Sequence, residues 1–125
     1  GLSIDTEQDL NKGIEIFDQN RVLKHIKKIE LVRGNASETI PKFIEKNPHF
    51  LCSLLWLDFD IYQPTFDAIE HFLPRMSKGS IIAFDELNHP VWPGETVALI
   101  EKINLRTVKI ERFSFGSTAS FIVLD

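Results

Sequence analysis

The sequence predicts an α/β fold: a mostly parallel, doubly wound sheet finished by an antiparallel hairpin. Three observations carry this. Helix-periodic segments alternate with short apolar runs along most of the 125 residues, the order that builds a parallel sheet with helices on its faces. The run at 50–57, FLCSLLWL, is almost continuously apolar, as a strand covered on both faces is. The last two strand-like segments are joined by a loop too short for a parallel crossover, which leaves a hairpin.

The elements follow in order. Thr6 and Asp9 have capping-box spacing, and Leu10, Ile14 and Phe17 continue at helical spacing as far as Asn20. A short turn through Leu23 and Ile26 leads to KIELVRG (28–34), a strand closed by Gly34. Ser37 or Thr39 starts a helix carrying Ile40, Phe43 and Ile44, stopped at Asn47-Pro48. After the strand at 50–57, Pro64-Thr65 opens a helix with Phe66, Ile69, Leu73 and Met76 on one stripe, ended by Lys78-Gly79. SIIAFDE (80–86) is a second short buried strand. Residues 95–103 form a helix with Val97, Ile100 and Ile103 inward. TVKIERF (107–113) alternates like a strand with one wet face, and ASFIVLD (119–125) is the last strand.

Composition narrows the class. With 43% hydrophobic and 26% charged residues the chain reads as one soluble domain, 1–125. A net charge of −4 offers no basic surface for nucleic acid or an anionic membrane. No stretch nears the roughly 20 apolar residues of a membrane span. Cys52 is the only cysteine, which excludes an internal disulfide and fits a reducing, cytoplasmic setting.

In doubly wound sheets, ligands bind beyond the carboxyl ends of the strands. Asp58 and Asp60, Asp85 and Glu86, and Gly34-Asn35 all fall there. Two neighbouring strands ending Asp58-x-Asp60 and Asp85-Glu86 would crowd four carboxylates into one crevice. Around a divalent cation that crowding becomes mutual support, and all-oxygen ligands point to a hard ion, Mg²⁺ before Ca²⁺ or Mn²⁺. The plainer alternative is that Asp60 caps the following helix and Glu86 sits solvated in a loop. His89 is a candidate base or outer ligand, or simply a wet loop residue. His25, His49 and His71 have no ligand spacing and read as surface. Trp56 reads as core, and Trp92 as a wall of the crevice or a loop anchor.

LDFDIYQPTFDAIEHFLPRMSKGSIIAFDE (57–86) resembles the S-adenosylmethionine-dependent O-methyltransferases of the macrocin type. The shared pattern is a D-x-D-x-Y-x-x-T strand end, a helix ending L-P-R before a glycine, and an apolar strand closing on paired acids. Here these are Asp58, Asp60, Tyr62, Thr65, Leu73-Pro74-Arg75, Gly79 and Asp85-Glu86, and the likeness runs over roughly 28–125. It implies a Rossmann-like class I methyltransferase fold. It also implies metal-assisted methyl transfer from the sulfonium cofactor to a hydroxyl of a sugar or other small molecule. Asp58, Asp85 and Glu86 would bind Mg²⁺, and Asp60 would be the general base. A hydroxyl is a poor nucleophile near neutral pH, and a coordinated cation lowers its pKa. Gly34, Asn35, Ala36 and Asp58 stand where cofactor contacts are expected.

Two departures stand out. Glu86 replaces the family's commoner aspartate. The six glycines, at 1, 13, 34, 79, 94 and 116, supply no G-x-G turn, so the chain reads as the C-terminal portion of such an enzyme, lacking its first two strands and inactive alone. The strand at 50–57 would then have a free apolar edge, and a homodimer is expected. Two rivals remain: a haloacid-dehalogenase-like phosphatase with Asp58 as nucleophile, and a non-catalytic dimerising domain. Tyr62 stands where the phosphatase motif wants Thr or Val.

Overall fold

The computed structural model describes residues 6–114 and 118–125, which fall into two compact units, one ending at Arg33 and one spanning Gly34–Asp125. The first is built on helix α1 (Glu7–Gln19). Thr6 is its N-cap, but the hydroxyl makes no capping hydrogen bond, so the capping box is not realised. Arg21 pairs with Asp18 and donates to the Ile26 carbonyl at 2.9 Å, folding the expected turn onto the end of the helix. The expected strand at 28–33 is absent. Strand structure needs a neighbouring ladder, and no described segment pairs with these residues.

The second unit begins with α2 (Ala36–Lys46). Asn35, not Ser37 or Thr39, is its N-cap, its side-chain oxygen accepting from the Ser37 N–H at 3.1 Å. Then come β1 (Leu54–Leu57), α3 (Tyr62–Phe72), a 3₁₀ turn (Leu73–Arg75), β2 (Ile81–Phe84), α4 (Gly94–Lys102), β3 (Ile110–Arg112) and β4 (Ser120–Val123). The sheet order is β1-β2-β4-β3. β1 and β2 run parallel, while β4 pairs antiparallel with both β2 and β3. The α/β class and the terminal hairpin hold. Among the described residues parallel pairing is confined to β1 and β2, and the sheet is mixed.

One sheet face makes the core. Leu55, Leu57, Ile82, Phe84 and Ile122 pack with Ala68 and Ile69 of α3 and Ala98 and Leu99 of α4. The other face is open at β1, where Leu54 is 57% and Trp56 49% exposed. The apolar run is therefore covered on one face only, and Trp56 is not core. α4 is also rotated from expectation. Glu95, Ala98 and Leu99 are its buried side, while Val97 and Ile100 face outward. The i, i+3, i+4 face that meets α3 begins with a charged residue, which an apolar count passes over.

Candidate functional site

Register places the two acidic strand ends together. Leu57 is opposite Phe84, and the Asp85 N–H donates to the Leu57 carbonyl at 3.0 Å. Asp58 and Asp85 thus leave the sheet side by side. The Asp58 carboxyl is held above the usual carboxylate range, first by partial burial, then by Asp85 and then by Asp60. These acids feel one another, as the crevice reading requires.

Between them the chain turns sharply. Asp60 has φ +61°, the left-handed region that Asp tolerates better than most residues, and the Ile61 N–H donates to the Phe59 carbonyl at 2.6 Å. α3 then starts with Ile61 as N-cap and no side-chain capping bond. Asp60 is therefore not a helix cap, and its carboxylate stays with the acidic group.

The organising residue of the site is one that sequence reasoning passed over. Glu95, in the first turn of α4, is completely buried. One carboxylate oxygen accepts from the Phe59 N–H at 3.3 Å and the other from the Glu86 N–H at 3.2 Å. Each of those amides immediately follows an acid of the cluster, Asp58 or Asp85. Burial pushes the Glu95 carboxyl up, bonds from the backbone N–H groups of Glu86, Phe59 and Asp60 pull it part of the way back, and Asp85 adds a further upward push. Beside it, Gly94 packs directly on the turn: a Cβ there would lie 2.4 Å from Ile61 C and Tyr62 N and 2.6 Å from the Asp60 carbonyl. One signal was available in the sequence. Glu95 shares a helical face with Ala98 and Leu99, and a lone charge on a buried face needs a partner.

The loop after β2 is braced from several sides. The Asn88 N–H donates to Thr96 Oγ1 at 2.7 Å. Arg112 donates to the Leu87 carbonyl and to Ser120 Oγ, both at 3.1 Å. His89 Nδ1 accepts from the Val91 and Trp92 N–H groups, both at 3.3 Å, so its neutral ring carries the proton on Nε2. His89 ties its own loop in this way, and Trp92 is partly exposed in it. Glu86 has one carboxylate oxygen, Oε2, buried with no hydrogen-bond partner. Among the described residues no group of three or more His, Cys, Asp or Glu side chains is gathered tightly enough to hold a metal. Gly34, Asn35 and Ala36 form the entry to α2. Gly34 has φ +135°, and the Asn35 side-chain oxygen is engaged in capping.

No protein-family model and no curated protein matches the sequence. Solved structures do. The apo structure of CalS11, a TDP-rhamnose 3'-O-methyltransferase of calicheamicin biosynthesis, superposes with a TM-score of 0.87 at 29% identity. It covers 94% of this chain and 50% of its own. A second CalS11 structure gives 0.89 at 28% identity, over 98% and 48%. The chain has the fold of an O-methyltransferase. The O-methyltransferase NovP shares the fold at 17% identity, with a TM-score of 0.70 over 94% of this chain and 44% of its own. The chain spans about half the length of these methyltransferases.

Within the methyltransferase fold, several residues of the quoted motif do structural work. Tyr62 donates its hydroxyl to Glu101 at 2.6 Å, bracing α3 against α4. Thr65, fully buried, donates to the Ile61 carbonyl at 2.8 Å. Arg75 donates to the Pro48 carbonyl at 2.9 Å, and its own carbonyl accepts from the Cys52 N–H at 2.9 Å, which fixes the approach to β1. Gly79 has φ +85°, the conformation that favours glycine. The motif holds the strand ends in place, and the acids are what it presents.

Proposed function

We propose that this chain belongs to an S-adenosylmethionine-dependent enzyme that methylates a hydroxyl of a sugar or another small molecule, assisted by a divalent cation. The observation that carries the reading is the pairing of the Asp58–Asp60 and Asp85–Glu86 strand ends on a methyltransferase fold. The 29% identity to a sugar O-methyltransferase supports the acceptor class.

Carboxylate oxygens suit a hard cation by type, though these side chains are not gathered tightly enough to hold one as they stand. Asp58, Asp85 and Glu86 would hold Mg²⁺ or Mn²⁺, relieving the repulsion on Asp58 and giving the unpartnered Glu86 oxygen a ligand role. A cation held there would acidify the acceptor hydroxyl, and the cofactor would supply an electrophilic methyl group. Asp60 would be the residue that takes the acceptor hydroxyl proton during methyl transfer. Asp60 suits this task because the left-handed turn keeps its carboxylate off the helix start. His89 Nδ1 is engaged by its own loop, which favours Asp60 over His89 as base. Gly34, Asn35 and Ala36 remain the proposed cofactor contacts, with Asp58. A homodimer is part of the proposal, because the outer edge of β1 pairs with no described strand. The buried reduced Cys52 suits a cytoplasmic setting.

Titration with Mg²⁺ or Mn²⁺ should raise the Tm of the wild-type chain, and Asp85→Asn should abolish the rise. Equal shifts in the two proteins would remove Asp85 from the site.

A further inference from the structure

We propose that Glu95 is a positioning residue that sets the spacing between the Asp58–Asp60 and Asp85–Glu86 loops. The inference rests on the methyltransferase reading for what those loops do, and on geometry alone for how they are held. Glu95 is completely buried, and both its oxygens are occupied by backbone amides, so it is not itself a ligand or a base. What distinguishes it is where those amides lie. Phe59 N–H follows Asp58 on β1's loop, and Glu86 N–H follows Asp85 on β2's loop. A single rigid carboxylate, with its two oxygens about 2.2 Å apart, therefore bridges the two peptide groups nearest the acids.

The surroundings support positioning over generic packing. A buried carboxylate is an expensive way to fill space, and a wholly apolar side chain would fill the same volume without desolvation cost. The α4 turn that carries Glu95 is seated by Gly94 against Asp60, Ile61 and Tyr62 with no room for a Cβ. On the other loop, the Asn88 N–H bond to Thr96 docks the chain beyond Glu86 onto the same first turn of α4. The helix start is thus fixed to both loops, with Glu95 as the shared bond. The carboxylates of Asp58, Asp60 and Asp85 would otherwise drive the loops apart.

The test uses the full 125-residue chain and Glu95→Gln, which keeps the volume and one acceptor but turns an NH₂ toward the other amide. Amide hydrogen exchange should accelerate about tenfold or more at Phe59 or Glu86 and stay unchanged at Leu55 and Ile82 in the strands. Mn²⁺ affinity should fall about tenfold or more through the lost spacing. Unchanged exchange at both loop amides overturns the proposal. So does acceleration spread evenly through Leu55 and Ile82, which would mark a merely structural residue. Should the Gln variant not fold, Glu95→Asp keeps the charge but shortens the arm, and must free at least one of the two amides. If wild type binds no Mn²⁺, the metal reading fails, and the exchange pattern decides the role of Glu95 independently.

Discussion

Gly94→Ala is the sharpest perturbation the structure offers. Gly94 has no positive φ, so alanine is conformationally acceptable, and on helix propensity alone it should stabilise by up to about 1 kcal/mol. Sterics oppose this. The new methyl would stand 2.4 Å from two backbone atoms of Ile61 and Tyr62, whereas ordinary contact begins near 3.4 Å. Backbone cannot swing aside like a side-chain tip, so the start of α4 must retreat by about 1 Å. That retreat stretches the 3.2 and 3.3 Å bonds from Glu86 and Phe59 to Glu95 past useful length. Overpacking costs about 1–3 kcal/mol and weakened bonds to a buried carboxylate at least about 1 more. The expected net loss is about 2–3 kcal/mol in urea unfolding followed by circular dichroism. Gly13→Ala is the control. It lies inside α1 with nothing within 4 Å of the place its methyl would take, and should increase helicity by the equivalent of about 0.5–1 kcal/mol. A Gly94→Ala protein within about 0.5 kcal/mol of wild type would refute the close-packing argument and weaken the case for Glu95 with it.

Asp58→Asn tests the repulsion directly. A carboxyl raised by burial, Asp85 and Asp60 binds its proton more tightly in the native state, so its destabilisation is absent below the ordinary value of 3.8 and grows as pH rises through the folded value. The substitution should therefore stabilise by about 0.2–1 kcal/mol at pH 7 and not at pH 3 in urea titrations; an equal gain at both pH values would assign it to something other than charge. In the complete enzyme, Asp60→Asn should lower kcat about 10²-fold or more in a methyl-transfer assay while sparing metal affinity, and loss of metal binding instead would make Asp60 a ligand. On the proposed homodimer, Trp56→Lys should shift mass toward monomer in light scattering, because it charges the open apolar face beside the β1 edge that no described strand pairs; an unchanged dimer places the interface elsewhere, and a monomeric wild type removes the dimer from the proposal.

The acids were legible because each ends an apolar strand, and neighbouring parallel strands bring such ends together whatever lies between them. The hairpin was legible from its short connection. Burial was less so. Trp56, Val97 and Ile100 look like core to any count of apolar residues, yet whether an apolar side chain is covered depends on what packs there. The segment 28–33 has strand composition but no ladder partner among the described residues, and composition does not make a sheet. Glu95 escaped because its role lies in two backbone amides 9 and 36 residues away in sequence. Side-chain pattern carries no information about which main-chain groups will be left wanting an acceptor.

The two kinds of carboxylate at this site explain one another. Asp58, Asp60 and Asp85 are useful to a cation or a proton only if they stay near enough to repel, and two loops free to move would relax that repulsion by separating. Apolar packing seats Leu87 in the core and Phe59 against it, but by itself it does not fix the peptide groups that carry the acids, since Asp58 is exposed and Asp60, Asp85 and Glu86 are only partly buried. Backbone hydrogen bonds do, because they act on those peptide groups and leave the acid side chains free. An acceptor serving both loops at once must be bidentate and must sit behind them, out of reach of water. A carboxylate in the first turn of α4 meets both conditions, at a desolvation cost that the amides of Phe59, Asp60 and Glu86 offset in part. A fourth acid placed beneath three others looks like an electrostatic error. It is the arrangement that lets the other three stay together.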